Sequence, residues 1–325
     1  MCESTLRCYN NGIETEESLP NTHLDHLEDL IFTGRGQLLD ALREIYSGVR
    51  LSVKWDGAPA IVFGTDPRNG KFFVGTKSVF NKVKVKICYD QEDIDKYYKG
   101  TVADILRLCL RHLPRLSSIV QADWIGVGGG SVYCPNTVEY RFPSKTRRDI
   151  ILAPHTYYDE ISPNAVGRGG VNLPSALGTQ FLGPEEAHAV LRRKVGFNWV
   201  QFMYRLARCK VPSEKARPHI LKHINKFIRA GSLPSSDVIY ATLDDKYKCE
   251  VNVTTLKVWH MIFQLKQRLL DAIVVNGTVD CYIDGQPSQH EGFVTVSDNP
   301  VKLVDRLTFS KANFNLSKNW TNEKV

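Results

Sequence analysis

Between Val49 and Val74 the chain fits three short apolar runs around two turn signals, which leaves no room for a crossover helix. Val49 to Val53 alternates toward Lys54, Ala60-Ile61-Val62-Phe63 reads as a second strand, and Lys71-Phe72-Phe73-Val74 as a third. Asp56-Gly57 and Asp66-Pro67-Arg68-Asn69-Gly70 supply the turns. Strand, turn, strand, turn, strand predicts an antiparallel meander, not a parallel strand–helix–strand unit.

The rest of the chain extends this pattern. Residues 1–20 are polar and mixed, and are expected to form a loose arm. Thr22 can cap a run from His23 to Phe32, Gly34-Arg35-Gly36 breaks it, and Gln37 to Tyr46 resumes at helical spacing. Asp93 to Leu113 reads as one helix. Ile119 to Ile125, Thr137 to Phe142 and Ile150 to Ala153 read as strands, and residues 160–182 as a long loop. Residues 184–275 are mostly helical in pattern, opening at Pro184-Glu185-Glu186 and broken between Pro212 and Pro218. Tyr282 to Val296 returns to strand, turn, strand, and Lys302 to Leu307 is the last strand. The expected class is α+β. Its expected parts are an N-terminal arm and helices over 1–48, a β-rich core over 49–183, a helical accessory region over 184–275, and the rest of the core over 276–325.

Composition excludes several classes. The 325 residues are 42% hydrophobic and 24% charged, the balance of a folded chain. No uncharged apolar run approaches about 18 residues, so no membrane span is expected. The N-terminus lacks a basic region followed by an apolar one, which makes the cytoplasm the simplest expectation (the host's, for a viral chain). Eight cysteines without a C-x-x-C pair point to reduced, mostly buried thiols, not to a zinc knuckle or disulfide scaffold. A net charge of +7 and a pI near 8.9 suit a protein that handles phosphates or a nucleic-acid backbone.

The residues that carry chemistry are widely spaced. Lys54-Trp55-Asp56-Gly57 lies between two predicted strands. A lysine there becomes a nucleophile once burial or nearby positive charge favours its neutral amine, and a neighbouring glycine lets backbone approach a ligand closely. His290-Glu291-Gly292-Phe293-Val294 lies on a late strand. Val301-Lys302-Leu303-Val304 offers a lysine able to grip a transferring phosphate. Asp123, inside an apolar strand, can hold a divalent metal or contact a sugar hydroxyl. Gly126 to Gly130 lacks the G-K-[ST] of a phosphate loop and reads as a hairpin loop. His23 and His26, with Asp25, Glu28 and Asp29, read as a solvated, capped helix face in preference to a metal site. Eleven lysines and arginines between Arg192 and Arg229, interleaved with Trp199, Phe202 and Tyr204, mark either a nucleic-acid surface or solvated helix faces with buried aromatics.

In this order the motifs resemble those of the covalent nucleotidyltransferase superfamily: ATP-dependent DNA ligases, RNA ligases and mRNA capping enzymes. Those proteins run K-x-D-G, an acidic strand motif, E-G-x-V and K-x-K. The matches are Lys54 to Gly57, Asp123, Glu291 to Val294, and Lys302. The chain also resembles a ligase-like group of large-phage proteins that share segments like its Thr22-His23-Leu24, Lys54-Trp55-Asp56-Gly57-Ala58-Pro59-Ala60 and Cys134-Pro135-Asn136-Thr137-Val138-Glu139-Tyr140. The resemblance implies an antiparallel-sheet nucleotidyltransferase core (ATP-grasp-like ligase) with a helical insertion. It implies ATP as donor and Mg²⁺ or Mn²⁺ as cofactor. Lys54 would form lysyl-AMP, and Asp56 and Gly57 would shape its turn. Glu291 would bind a metal or position Lys54, with Gly292 beside it in the nucleotide site. Lys302 would neutralise the α-phosphate. Asp123, where a glutamate is usual, would sit near the ribose and serve as a second metal ligand, and Lys77 would contact nucleotide or strand.

Three features depart from the pattern. Pro59 stands where many DNA ligases have arginine. Val304 stands where the second lysine of K-x-K would be, with Arg306 or Lys311 as substitutes. Only 21 residues follow Val304, too few for an oligonucleotide-binding barrel. The expectation is therefore a ligase-like enzyme joining nucleic-acid ends, with RNA favoured over DNA. The alternatives are an inactive nucleic-acid-binding protein that keeps the fold, and a protein AMP-transferase.

Overall fold

The computed structural model describes residues 24–297 and 300–309. The expected arm, the Thr22 cap, His23 and Lys311 lie outside the described residues. The chain enters through a 3-10 turn, Leu27–Phe32, and helix α1 (Arg35–Tyr46). Strands β1 (Arg50–Lys54), β2 (Ala60–Thr65) and β3 (Phe72–Gly75) follow. Helices α2 (Gln91–Tyr97) and α3 (Thr101–His112) replace the single helix expected there. Gly100 separates them at φ +60°, a conformation glycine adopts without steric cost. Next come β4 (Ile119–Val127), β5 (Val132–Tyr133), β6 (Glu139–Arg141), β7 (Ile150–Tyr158), β8 (Thr179–Phe181) and β9 (Ala187–Leu191). Five helices are then consecutive: α4 (Trp199–Leu206), α5 (Arg217–Arg229), α6 (Ser236–Ala241), α7 (Asp245–Lys248) and α8 (Val253–Leu270). Strands β10 (Ile273–Gly277), β11 (Asp280–Ile283), β12 (Gln286–Ser288), β13 (Gly292–Val296) and β14 (Lys302–Val304) complete the order.

The architecture is mixed α+β, and its strand ladders are antiparallel apart from β7 with β8. One five-stranded sheet has the order β10-β9-β1-β13-β14, and a second has β3-β2-β4-β7-β8. A four-stranded sheet, β12-β11-β6-β5, stands beside them. The expected meander is corrected at its first step. β2 and β3 pair as predicted, but β1 pairs with β13 and β9, so β1 and β2 belong to different sheets. Alternation specifies which face of a strand is buried, not which strand lies beside it.

A second correction falls at Pro184-Glu185-Glu186, which opens no helix. The Glu186 carboxylate turns back to accept from Gly183 N–H at 2.8 Å, and the chain then enters β9. Five residue pairs join β9 to β10, and this ladder overrides the local helix signal. Helices α4 to α8 thus leave from one strand and return into its hydrogen-bonded neighbour.

Packing fixes which faces of the large sheets stay open. Leu38, Leu42, Phe202, Ile224, Trp259 and Ile262 cover the back of the first sheet, against Phe293 and Leu303. Ile94, Leu106 and Cys109 of α2 and α3 cover the back of the second, against Ile61, Phe63, Val120 and Ala122. Each such apolar side chain stabilises its orientation by about 1.5–3 kcal/mol, so the polar alternates must face the other way.

The helix face expected to be solvated around His26, Glu28 and Asp29 is buried instead. Glu28 accepts from Lys266 Nζ at 2.6 Å and from Arg306 at 3.0 Å; Asp29 accepts from Trp259 Nε1 at 2.8 Å and from Arg306 at 3.1 Å. Its acids answer buried cations of α8 and the C-terminal segment, a pairing no local pattern reveals. Among the described residues, no helix is long and apolar enough to cross a membrane.

Candidate functional site

The open faces of the two large sheets enclose a cleft of about 820 Å³. On the first sheet, Ser52 and Lys54 of β1, Val294 of β13 and Lys302 of β14 line it. The register explains this: Ser52 is paired with Val294, Val294 with Lys302, and Lys54 with Gly292. On the second sheet, Ala60 of β2 and Gln121 and Asp123 of β4 line the opposite wall. The five residues between Lys54 and Ala60 carry the chain from one wall to the other.

Lys54 and the first three residues of that crossing have separate tasks. Lys54 Nζ donates to Glu291 Oε2. Trp55 turns away into a third core, against Tyr140 and edge-on to His290, with ring centroids 5.0 and 4.7 Å away. Asp56 is buried, and its carboxylate accepts from Asn136 Nδ2 and Thr137 N–H at 2.8 Å and from Val138 N–H at 3.0 Å. Its own N–H donates to the Tyr140 hydroxyl. Asp56 therefore clamps the turn to the segment around Asn136. Gly57 packs under β4, where an added Cβ would lie 2.7 Å from Trp124 O and 2.8 Å from Asp123 Cβ. Gly292 has the matching role on β13: a Cβ there would lie 2.3 Å from Leu303 O, so glycine is what lets β14 bring Lys302 close.

Charge in the cleft is divided between carboxylates and lysines. Burial disfavours the Lys54 ammonium, but Glu291, Asp123 and Asp56 outweigh it and hold the pKa above the ordinary lysine value. Burial pushes the Glu291 carboxyl up, and Lys54 offsets only part of this. Burial would also raise Asp123, yet His155, Lys54 and Lys77 together hold it below the usual carboxylate range. Burial, then Lys54 and Lys77, push Lys302 down to about 8. Lys77, on a 3-10 turn capped by Thr76, is lowered mainly by burial. The resting cleft thus sets a protonated Lys54 and two further lysines against the carboxylates of Glu291, Asp123 and Asp56, a set able to engage phosphate oxygens together with a counter-cation.

A model described as a family of unknown function (DUF6267) matches residues 21–318. The chain belongs to this family. No curated protein and no solved structure matches it. The DUF6267 match covers both cleft walls, the helices between β9 and β10, and every cleft residue named above.

The structure gathers Lys54, Asp56, Gly57, Lys77, Asp123, Glu291 and Lys302 around one cleft, with Gly292 directly beneath. Arg306, offered as a substitute for a second late lysine, belongs to the buried network with Glu28 and Asp29. The loop at Gly128 to Gly130 offers no anion cradle: its N–H groups go to Asp149 O, Thr146 O and the Tyr133 hydroxyl. Of the interleaved aromatics, Phe202 is buried, while Tyr204 is exposed and stacked under Arg208 at 3.6 Å.

Sequence reasoning missed His155. Gln121 pairs with Thr156 and Ala122 with Pro154, so His155 is the extra residue of a β-bulge on β7. A bulge re-aims a side chain, and here the imidazole lines the cleft with Nε2 3.5 Å from Asp123 Oδ1. Tyr158 donates to Gln121 Oε1 at 3.0 Å, which turns the Gln121 amide nitrogen toward the same imidazole at 3.4 Å. No one-strand pattern carries this signal, because a bulge is a mismatch between two strands.

Proposed function

We propose that this protein is an ATP-dependent nucleotidyltransferase of the polynucleotide-ligase type, in which Lys54 becomes covalently joined to AMP. The observation that carries the reading is the Lys54–Glu291 pair, set between Asp123, Lys77 and Lys302 in one cleft although the two partners are 237 positions apart. A surface lysine requires no such convergence.

The chemistry follows from the groups present. Lys54 Nζ attacks the α-phosphorus once it has given up a proton. Glu291 is the nearest acceptor, hydrogen-bonded to the ammonium and with its carboxyl already pushed up by burial. The P–N bond forms as the bond from the α-phosphorus to the bridging oxygen breaks, and pyrophosphate carries away the electron pair. Lys302 and Lys77 offset the charge that builds on the phosphate oxygens. Asp123 and Glu291 are the carboxylates placed to hold a divalent ion. Among the described residues they form no three-ligand cluster, so phosphate oxygens of the nucleotide would complete the set. Such an ion would offset triphosphate charge and favour pyrophosphate departure. In the ligase reading AMP then passes to a 5′-phosphate end, and a 3′-hydroxyl displaces it, with RNA favoured as substrate.

The test is incubation with α-labelled ATP or GTP and Mg²⁺ or Mn²⁺, read on a denaturing gel beside Lys54→Ala. Label on the wild type that survives denaturation, and is lost in the variant, is the expected result. Folded wild-type protein free of bound AMP that takes no label from either nucleotide would reject the reading. Label that moves to a protein partner without sealing strands would replace the ligase with an AMP-transferase.

A further inference from the structure

The helices between β9 and β10 carry a charge excess that the cleft chemistry does not use. From Arg192 to Arg229 there are eleven lysines and arginines against one acid, Glu214. α5 arranges part of this excess. Ile220, Ile224 and Ile228 are buried on one face, while Lys222, Lys226 and Arg229, at helical spacing, are exposed on the opposite face. Lys215, one turn earlier, is exposed too. Among the described residues, no ion pair engages any of these four. The single turn Asp244 to Lys248 has its own lysine–aspartate pairs, so acids are available on the insertion but are not spent on α5.

α5 packs on the back of the first sheet, and its N-terminal end is tied to the β14 edge of that sheet. Arg217, in the first turn of α5, pairs with Asp25 at 2.5 Å. The Asp25 carbonyl in turn accepts from Lys302 N–H at 2.9 Å, and the next residue upstream, Leu24, lines the cleft. One end of α5 is therefore tied to the strand that carries Lys302, and Asn225, further along, reaches Arg306.

We infer that the outer face of α5 is a second binding surface, which grips the backbone of a single-stranded nucleic acid that leaves the cleft and passes around the β14 edge. The inference deepens the ligase reading by placing its polynucleotide partner. It draws on the stripe of unpaired cations at steps of about 4.5–6 Å along the helix and on its anchorage at the strand that carries Lys302. A row of exposed cations without acidic partners fits a regularly spaced polyanion better than a folded acidic protein, whose charges are irregular.

The experiment is fluorescence anisotropy of a labelled single-stranded oligonucleotide of about 20 nucleotides, titrated at several KCl concentrations. Wild type is compared with the triple variant Lys222→Glu, Lys226→Glu, Arg229→Glu. All three positions are exposed, and a melting curve verifies folding. Loss of three phosphate contacts should reduce the slope of log affinity against log salt by about two, and weaken binding about tenfold or more at 0.1 M KCl. Equal affinity and slope in the two proteins would overturn the inference. So would wild type that binds polyglutamate but no oligonucleotide. Covalent labelling by the nucleotide separates the two proposals. A slope change with unlabelled wild type keeps the surface and rejects Lys54 as nucleophile; labelled wild type with an unchanged slope does the reverse.

Discussion

At the scale of single residues, the cleft is organised by what surrounds each lysine. Lys54 is held charged by three carboxylates, whereas Lys302, on the edge strand β14, is pushed down to about 8 by burial and by the other two lysines. Below pH 8 Lys302 is an ammonium. Above it, the empty cleft holds mostly the neutral amine. A bound triphosphate favours the ammonium, so nucleotide binding above pH 8 should take up a proton, and affinity should fall as pH rises through that value. Calorimetry at pH 8.5 in buffers of different ionisation enthalpy should show buffer-dependent heats. The dependence should vanish at pH 6.5 and in Lys302→Ala. Lys54, Glu291 and Lys302 are legible in the sequence because each sits in a short motif. His155 is not, and neither is the clamp on Asp56, because both exist only where two distant segments meet.

At the scale of elements, a buried ionic network adds to the apolar packing of Leu27, Ile31 and Phe32 in holding the N-terminal turn to α8. Glu28 and Lys266 are both fully buried and paired, and Arg306 bridges Glu28 to Asp29. Breaking such a pair from one side leaves an uncompensated charge, which costs about 3–5 kcal/mol, whereas removing both charges is often near neutral. Lys266→Met is expected to lose stability on that scale in denaturant titrations, and Glu28→Gln with Lys266→Met to recover most of it. Elements were readable where local pattern and packing agree, as for α1, β2 and β4. They were misread where tertiary pairing overrode the local signal. β9 follows a good helix-start sequence but is paired along its length with β10, and the helix expected over Asp93 to Leu113 is divided at Gly100. The partners of β1 were illegible for a different reason: β13 lies some 240 positions downstream, and alternation names no neighbour.

At the scale of the whole molecule, the buried His290 and the half-buried His26 couple the fold to acid. His290 lies against Trp55 and Tyr140 and is pushed down to about 4 by burial. His26, bridged to Lys302, is lowered well below its ordinary value, by burial first and then by nearby cations. In the unfolded chain both take up protons as pH drops below about 6.5. The folded protein refuses them over that window, so the unfolded state binds more protons and stability falls with pH. His290 alone should contribute roughly 3 kcal/mol of loss by pH 4. Melting curves between pH 7.5 and 4.5 should show the decline, and His290→Phe should flatten it.

The central strand of the first sheet also sets an order of events during synthesis. β1 emerges first, and its ladder partner β13 and the strand that carries Lys302 follow only some 240 residues later. Until they arrive, Lys54 has neither its carboxylate partner nor the wall that completes its cleft. Under the proposed chemistry, a nascent chain that stops short of β14 therefore lacks a complete site, and Lys54 should take no label in it.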